Sequence, residues 1–256
     1  MAQIRSAAFS RLCFSLIITG SLLGSPALQA QDKIILKQGA PVEGEIQSID
    51  KSGNLLMKEA QGVVPYPKGN ISRVELALRP DFSAGMDAIN HQDYAKGVET
   101  LKPLIEKYLG VDVAWVAEGA GAIADAMAKS GKTYDSEQFC DRIIEAYPAS
   151  QYGLKGMIGK ANALILRDKA DEALKMLQDV EKIIQPDAVP NPKTMAILSD
   201  LQFTRGRALL KKGDKPAALE CFVKVVTLYY QPESRAKEAQ LLADQLRKEQ
   251  PGLSVN

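Results

Sequence analysis

The sequence predicts a multi-domain chain in which a small all-β barrel precedes an all-α superhelical array of about four helix pairs and a capping helix. Three observations lead there. Residues 32–76 hold five short β-type runs separated by turn residues, with no helical run between them. After Arg79-Pro80 the apolar period changes from two to 3.6 and stays helical to about Leu246. Within that stretch one arrangement recurs four times: a small residue, an apolar or aromatic residue four on, and an aliphatic residue three further. Its members are Gly97/Leu101/Leu104, Ser136/Cys140/Ile143, Ala173/Leu177/Val180 and Ala218/Phe222/Val225, with first members 39, 37 and 45 residues apart.

The N-terminus comes first and stands apart from the fold. Arg5 and Arg11 form a positive region, Cys13–Leu23 is an apolar core of 11 residues, and small residues follow at Ser25, Ala27 and Ala30. This order is that of a secretory signal peptide, and the core is too short to cross about 30 Å of hydrocarbon as a helix. Cleavage after Ala27 or after Ala30 both fit. The expectation is an exported chain, periplasmic or extracellular, with no transmembrane span after cleavage. Beyond Ala30 there are 30 Lys and Arg against 31 Asp and Glu, a net charge of −1. A surface that tracks phosphates is normally basic, so nucleic acid is not expected as a partner.

The β-type runs are Lys33–Lys37, Glu43–Ile49, Leu55–Lys58, Gly62–Tyr66 and Ile71–Leu76. Turn chemistry at Gln38-Gly39, Lys51-Ser52-Gly53-Asn54, Gln61-Gly62 and Lys68-Gly69-Asn70 separates them. Short strands this close together favour a meander closed into a barrel. The stretch from Asp32 to Leu76 resembles the small SH3-like or Sm-like barrels found beside repeats in exported bacterial proteins.

Helix pairs follow at Asp81–Asn90 with Asp93–Tyr108, Ala114–Lys129 with Tyr134–Ala146, Gln151–Leu166 with Lys169–Ile184, and Lys193–Lys212 with Pro216–Tyr229. A last helix, Ser234–Lys248, has no partner and reads as a polar-faced cap. Turns fall at His91-Gln92, Ser130-Gly131-Lys132, Arg167-Asp168 and Lys212-Gly213-Asp214, while Asn191-Pro192 supplies an N-cap followed by proline. Pro186, Pro190 and Pro192 lengthen the loop between the third and fourth pairs, which accounts for the 45-residue step. The expected boundaries are 1–30 for the signal peptide, 31–78 for the barrel, 79–249 for the array and 250–256 for a tail.

These features resemble the tetratricopeptide repeat family, whose units are antiparallel helix pairs of 34 residues. The best match is Gly206–Tyr230, where Gly206 lies seven residues before Gly213 and Ala218 five after it. Gly85, Ala124 and Ala161 occupy the counterpart of Gly206, and Pro148 matches the family's closing proline. The chain departs from the family in its longer units, in Ser136 where alanine is usual, and in lacking the signature tryptophan from most first helices. The resemblance covers about residues 81–246 and implies peptide binding on a concave surface lined by the first helices. By helical register the outward-pointing candidates there are Asp125, Lys155, Asn162, Arg207 and Lys211. The basic ones fall in later units, which points to an acidic peptide or a chain terminus. The family's clamp for a C-terminal carboxylate is not reproduced, since its matching sites hold Asp125 and Met86.

Motifs for chemistry fail on their own requirements. Gly119-x-Gly121-x-x-Ala124 has the outline of a dinucleotide turn, but the second strand it needs would fall in Tyr134–Ala146, which is helical by pattern. The helical reading puts both glycines on a face that another backbone approaches. Gly153–Lys160 lacks the glycine and the Ser or Thr of a phosphate loop, having Leu154 and Ala161 there, and reads as a helix weakened by its glycines. His91 is the only histidine, so no histidine triad or multi-histidine metal site can form within one chain. Cys140 and Cys221 lie in units separated by a whole unit, so two buried free thiols are expected. No catalytic, cofactor or metal residue is assigned, and no cofactor is expected.

The function these readings favour is a non-enzymatic, exported scaffold for a protein or peptide partner, with oligomer formation left open. An accessory subunit of a cell-envelope assembly or export machine is the alternative, and an enzyme on a repeat platform the third. A groove lined by exposed polar and aromatic side chains separates the first from the second.

Overall fold

The computed structural model describes residues 31–50, 52–148, 150–184 and 191–252. The signal-peptide segment, Pro186 and Pro190 of the long loop, and residues 253–256 of the tail lie outside the described residues. Five strands come first: β1 (Asp32–Leu36), β2 (Val42–Ile49), β3 (Leu55–Glu59), β4 (Gly62–Tyr66) and β5 (Ile71–Glu75). Nine helices follow among the described residues: α1 (Pro80–Asn90), α2 (Tyr94–Tyr108), α3 (Ala114–Lys129), α4 (Thr133–Ala146), α5 (Gln151–Leu166), α6 (Ala170–Ile183), α7 (Pro192–Lys211), α8 (Lys215–Thr227) and α9 (Glu233–Glu249).

The expected barrel is not there. The strands form one antiparallel sheet in the order β4-β3-β2-β1-β5, so β4 and β5 sit at opposite edges and the sheet stays open. Two physical reasons are visible. The edge strand β4 carries Pro65, which has no N–H to give a further strand. The apolar face, moreover, is already covered: Ile34, Ile46, Met57 and Leu76 join Leu101, Ile105 and Tyr108 of α2 in one core. A sheet that buries its face on a helix has no need to curl onto itself.

The join between sheet and helices is also polar. Asp32, only 1% exposed, accepts hydrogen bonds from Ile46 N at 2.9 Å, Ala77 N at 3.0 Å and the Arg79 guanidinium at 2.6 Å. Trp115 of α3 donates its indole N–H to the Leu76 carbonyl at 3.2 Å, and its ring meets Phe82 and Tyr108 edge-on.

The helical part is compatible with the expected array. Each helix packs on the next in sequence, and the odd helices also pack on one another: α1 on α3, α3 on α5, α5 on α7 and α7 on α9. The odd helices therefore form a continuous inner layer. Of the twelve residues in the fourfold pattern, eleven are buried and Leu104 is half-buried. The small members and their counterparts admit close contact. An added Cβ at Gly85 would lie 2.4 Å from Leu101, and one at Gly206 would lie 2.6 Å from the Phe222 ring.

The four turns within the pairs share one geometry. Gln92, Gly131, Asp168 and Gly213 all have φ between 61° and 84°, and each lies five residues before a small member of the pattern. In each turn the next N–H closes back over the helix end, as Asp93 N to Ala88 O, Lys132 N to Met127 O, Lys169 N to Leu164 O and Asp214 N to Leu209 O. This is the left-handed helix stop that satisfies otherwise orphaned carbonyls. At the starts, Asp93, Ser150, Asn191 and Asp214 cap α2, α5, α7 and α8 with side-chain oxygens.

Candidate functional site

The inner layer carries two adjoining hollows. The first, of about 700 Å³, lies between α3, α5 and the start of α7, and Ser136, Cys140 and Ile143 of α4 also line it. Its floor is made of small residues, including Ala117, Gly121, Ala124, Gly156 and Gly159, with Met86 and Tyr152 beside them. Glu118, Asp125, Lys155, Asn162 and Lys193 supply polar groups around that floor. The second hollow, of about 520 Å³, continues across α7 to α9 through Phe203, Thr204, Arg207, Arg235, Glu238 and Leu242. The two share Gly121, Asp125, Lys155, Gly159 and Asn162, so they form one groove.

Residue types explain the shape. Small side chains recur on the inward faces of α3 and α5, which leaves the floor low and brings backbone to the surface. Gly121 is the clearest case: an added Cβ there meets nothing within 4 Å. The expectation that both glycines of the α3 motif face an approaching backbone thus needs correcting. Gly119 is pressed by the side chains of Ile105 and Phe82, whereas Gly121 opens onto the groove. Both lie inside a continuous helix, so no dinucleotide turn exists there. On α5 an added Cβ would meet α4 or its C-cap instead: the Tyr147 carbonyl at Gly153, Ile143 at Gly156 and Cys140 Sγ at Gly159. Gly156 and Gly159 thus line the hollow without a side chain directed into it.

Four of the five candidate residues come together here. Asp125 of α3 and Lys155 and Asn162 of α5 line both hollows, and Arg207 of α7 lines the second. Arg207 donates from Nη1 to Asn162 Oδ1, which ties α7 to α5. Lys211, one turn on, is not brought to the groove; its ammonium meets Asp168 of the α5–α6 turn at 2.6 Å. Sequence reasoning missed Lys129, Lys193, Asp200, Arg235 and Glu238. The signal was present for α9, since Arg235, Glu238 and Leu242 follow the three-and-four spacing of one helical face. Reading α9 only as a cap hid its place as the fifth inner helix.

The charges are arranged unevenly. Lys129 pairs with Asp125 at 2.7 Å, and Arg235 meets Asp200 at 2.9 Å and Glu238 at 2.6 Å while stacking 4.4 Å over Phe203. Arg207 forms no ion pair among the described residues. Burial, with Arg235 adding to it, holds its guanidinium below the ordinary arginine value. Burial likewise pushes the Cys140 thiol at the edge of the first hollow up to about 12. Among the described residues no three His, Cys, Asp or Glu are gathered as a bound metal would require. No described helix is long and apolar enough to cross a membrane.

No family model matches the chain, and no curated protein matches it. Solved structures do match, two of MamA among them. MamA of MSR-1 is 17% identical over 66% of this chain and 93% of its own, with a TM-score of 0.37. MamA of AMB-1 is 16% identical over 66% of this chain and 95% of its own, with a TM-score of 0.36. At these scores the likeness is partial, and the reading of the groove rests on its own geometry.

Proposed function

We propose that this chain is an exported scaffold of the tetratricopeptide type, and that its inner groove holds an extended segment of a partner protein. The observation that carries the reading is the groove itself: a floor of glycine and alanine, a charged rim, and no described segment of the chain filling it. Its length suits a polypeptide better than a compact small molecule. Four inner helices at about 9–10 Å spacing give roughly 30 Å, the span of about nine extended residues. The low floor lets a peptide backbone come close, and Glu118, Asn162 and Lys155 offer both acceptors and donors to its amides. Export belongs to the same reading and rests on the order of charge, apolar core and small residues within 1–30.

The experiment compares affinity capture from envelope extract by residues 31–256 and by Gly121→Trp. The substitution fills the groove where an added side chain meets no packed neighbour. The expected result is a partner captured by the parent protein and lost by the variant. Equal capture by both would place binding elsewhere on the molecule and sink the groove reading. N-terminal sequencing of the exported protein tests the signal peptide, with Leu28 or Gln31 expected as the first residue.

A further inference from the structure

The cations around the groove differ in what they face. Lys129 and Arg235 are neutralised by Asp125, Asp200 and Glu238. Lys155, Lys193 and Arg207 pair with no acid among the described residues. Lys155 and Lys193 are exposed, so water satisfies them. Arg207 is not in that position. It is half-buried beside Phe203 and Leu242, and its one hydrogen bond among the described residues, to Asn162, engages a single N–H. A guanidinium has five N–H donors in a planar fork that matches a carboxylate. Four of them are left to the hollow, in a place where water solvates the charge poorly.

The surrounding charge sets the valence of the anion. The second hollow holds Lys129, Lys155, Arg207 and Arg235 against Asp125, Asp200 and Glu238, an excess of one positive charge. One carboxylate balances it. A phosphate dianion would overshoot it, in a hollow that already holds three carboxylates. Asn162, whose oxygen is taken by Arg207, keeps its amide nitrogen as a further donor in the same space. The groove also runs on past Arg207 in both directions, towards Phe203 and Leu242 on one side and towards Gly121 and Gly159 on the other. A bound chain can therefore pass through, which favours an internal side chain over a chain end.

We propose that Arg207, with Asn162 and Lys155, binds the side-chain carboxylate of one Asp or Glu inside an extended peptide, whose small apolar neighbours lie along the Gly121–Gly159 floor. This specificity rests on the reading of the groove as a peptide site. It differs from a clamp on a free terminus both in its ligand and in its place, across α5 and α7.

The test is panning of a library of short random peptides, displayed with both ends joined to the carrier, on residues 31–256. Selected sequences should share one acidic position next to small or aliphatic residues. Synthetic copies blocked at both ends should lose about tenfold in affinity when that acid is changed to Gln, the equivalent of about 1.4 kcal/mol. Against Arg207→Gln the same change in the peptide should make no difference. Circular dichroism checks that the variant is folded; if it is not, Lys155→Gln, an exposed change, should weaken binding of the acidic peptide and not of its Gln form. Selected peptides that Gly121→Trp displaces but that share no acid would overturn the carboxylate site and leave the groove reading standing. A preference for phosphorylated peptides or for free C-terminal ends would overturn it equally. Selection of no peptide that Gly121→Trp displaces would remove both.

Discussion

Ser136 of α4 donates its hydroxyl to the carbonyl oxygen of Ala124 on α3 at 2.7 Å, with the serine only 1% exposed. This is the one position of the fourfold small/apolar/aliphatic pattern where a polar side chain replaces glycine or alanine. The hydroxyl finds its partner in the helix it packs against, so the seam stays closed. Ser136→Ala removes the donor and the need for it together, and should lower stability by no more than about 1 kcal/mol. Ser136→Leu adds bulk to a filled seam and should cost about 1–3 kcal/mol. Urea unfolding of the two variants at constant m gives the comparison; equal losses would mean that the seam does not limit size.

Gly206 and Gly121 both lie in inner helices and should respond in opposite directions. A Cβ at Gly206 would sit 2.6 Å from the Phe222 ring, whereas one at Gly121 meets nothing within 4 Å. Gly206→Ala should therefore destabilise by about 1–3 kcal/mol through overpacking. Gly121→Ala should stabilise by up to about 1 kcal/mol through helix propensity. Thermal melts of both variants test this, and a loss at Gly121 would show that the groove floor is packed rather than open.

Arg79→Leu should be among the more damaging single changes at the join of sheet and helices. It leaves the buried Asp32 carboxylate with two backbone N–H partners and no cation. The remaining partners soften the effect, so the expected loss is about 2–3 kcal/mol, below the range for a fully stranded charge. Asp32→Asn combined with Arg79→Leu should recover part of it. A double variant no better than Arg79→Leu alone would argue against the stranded carboxylate as the cause.

Cys140 and Cys221 give a test in alkali. Burial raises the Cys140 thiol to about 12 and the Cys221 thiol to about 11, from an ordinary value of 9.0. Above pH 9 the unfolded chain releases these protons while the folded chain keeps them. The unfolded state then binds fewer protons, so stability is full below pH 9 and falls as pH rises through 11 and 12. The urea midpoint should decline over that range, and less steeply in a variant with both thiols changed to Ala. At pH 8 a thiol reagent should label neither cysteine until the chain is unfolded; rapid labelling of Cys140 in the folded protein would show that the groove floor opens.

Much of the element order was legible in the sequence, because period and turn chemistry act locally. The bounds of α3 and α5 follow from apolar spacing, and Asn191-Pro192 marks the start of α7. Gln92 shows where local reasoning thins out: it takes the same left-handed φ as Gly131 and Gly213, but nothing in its side chain announces that. The barrel failed for a different reason. Strand patterns report that one face of the sheet is apolar, yet they do not say what covers it, and α2 covers it here. The groove was half legible. Register placed Asp125, Lys155, Asn162 and Arg207 on one side of the array, but pairing decides which charges are spent, and the partners Asp168 of Lys211 and Asp200 of Arg235 come from other elements.

The neighbour-on-neighbour packing of the helices has a consequence for how the chain reaches this state. Each hairpin of the array closes over a turn of a few residues, so its contacts can form as soon as that stretch of chain is complete. The sheet differs in kind, since β1 stays unpaired along one edge until β5 has been made and Val74 can lie beside Ile34. Short loops close at little entropic expense and fast, and long ones slowly. The array is thus a structure that can be assembled piece by piece along the chain, whereas the sheet closes only once its last strand is in hand.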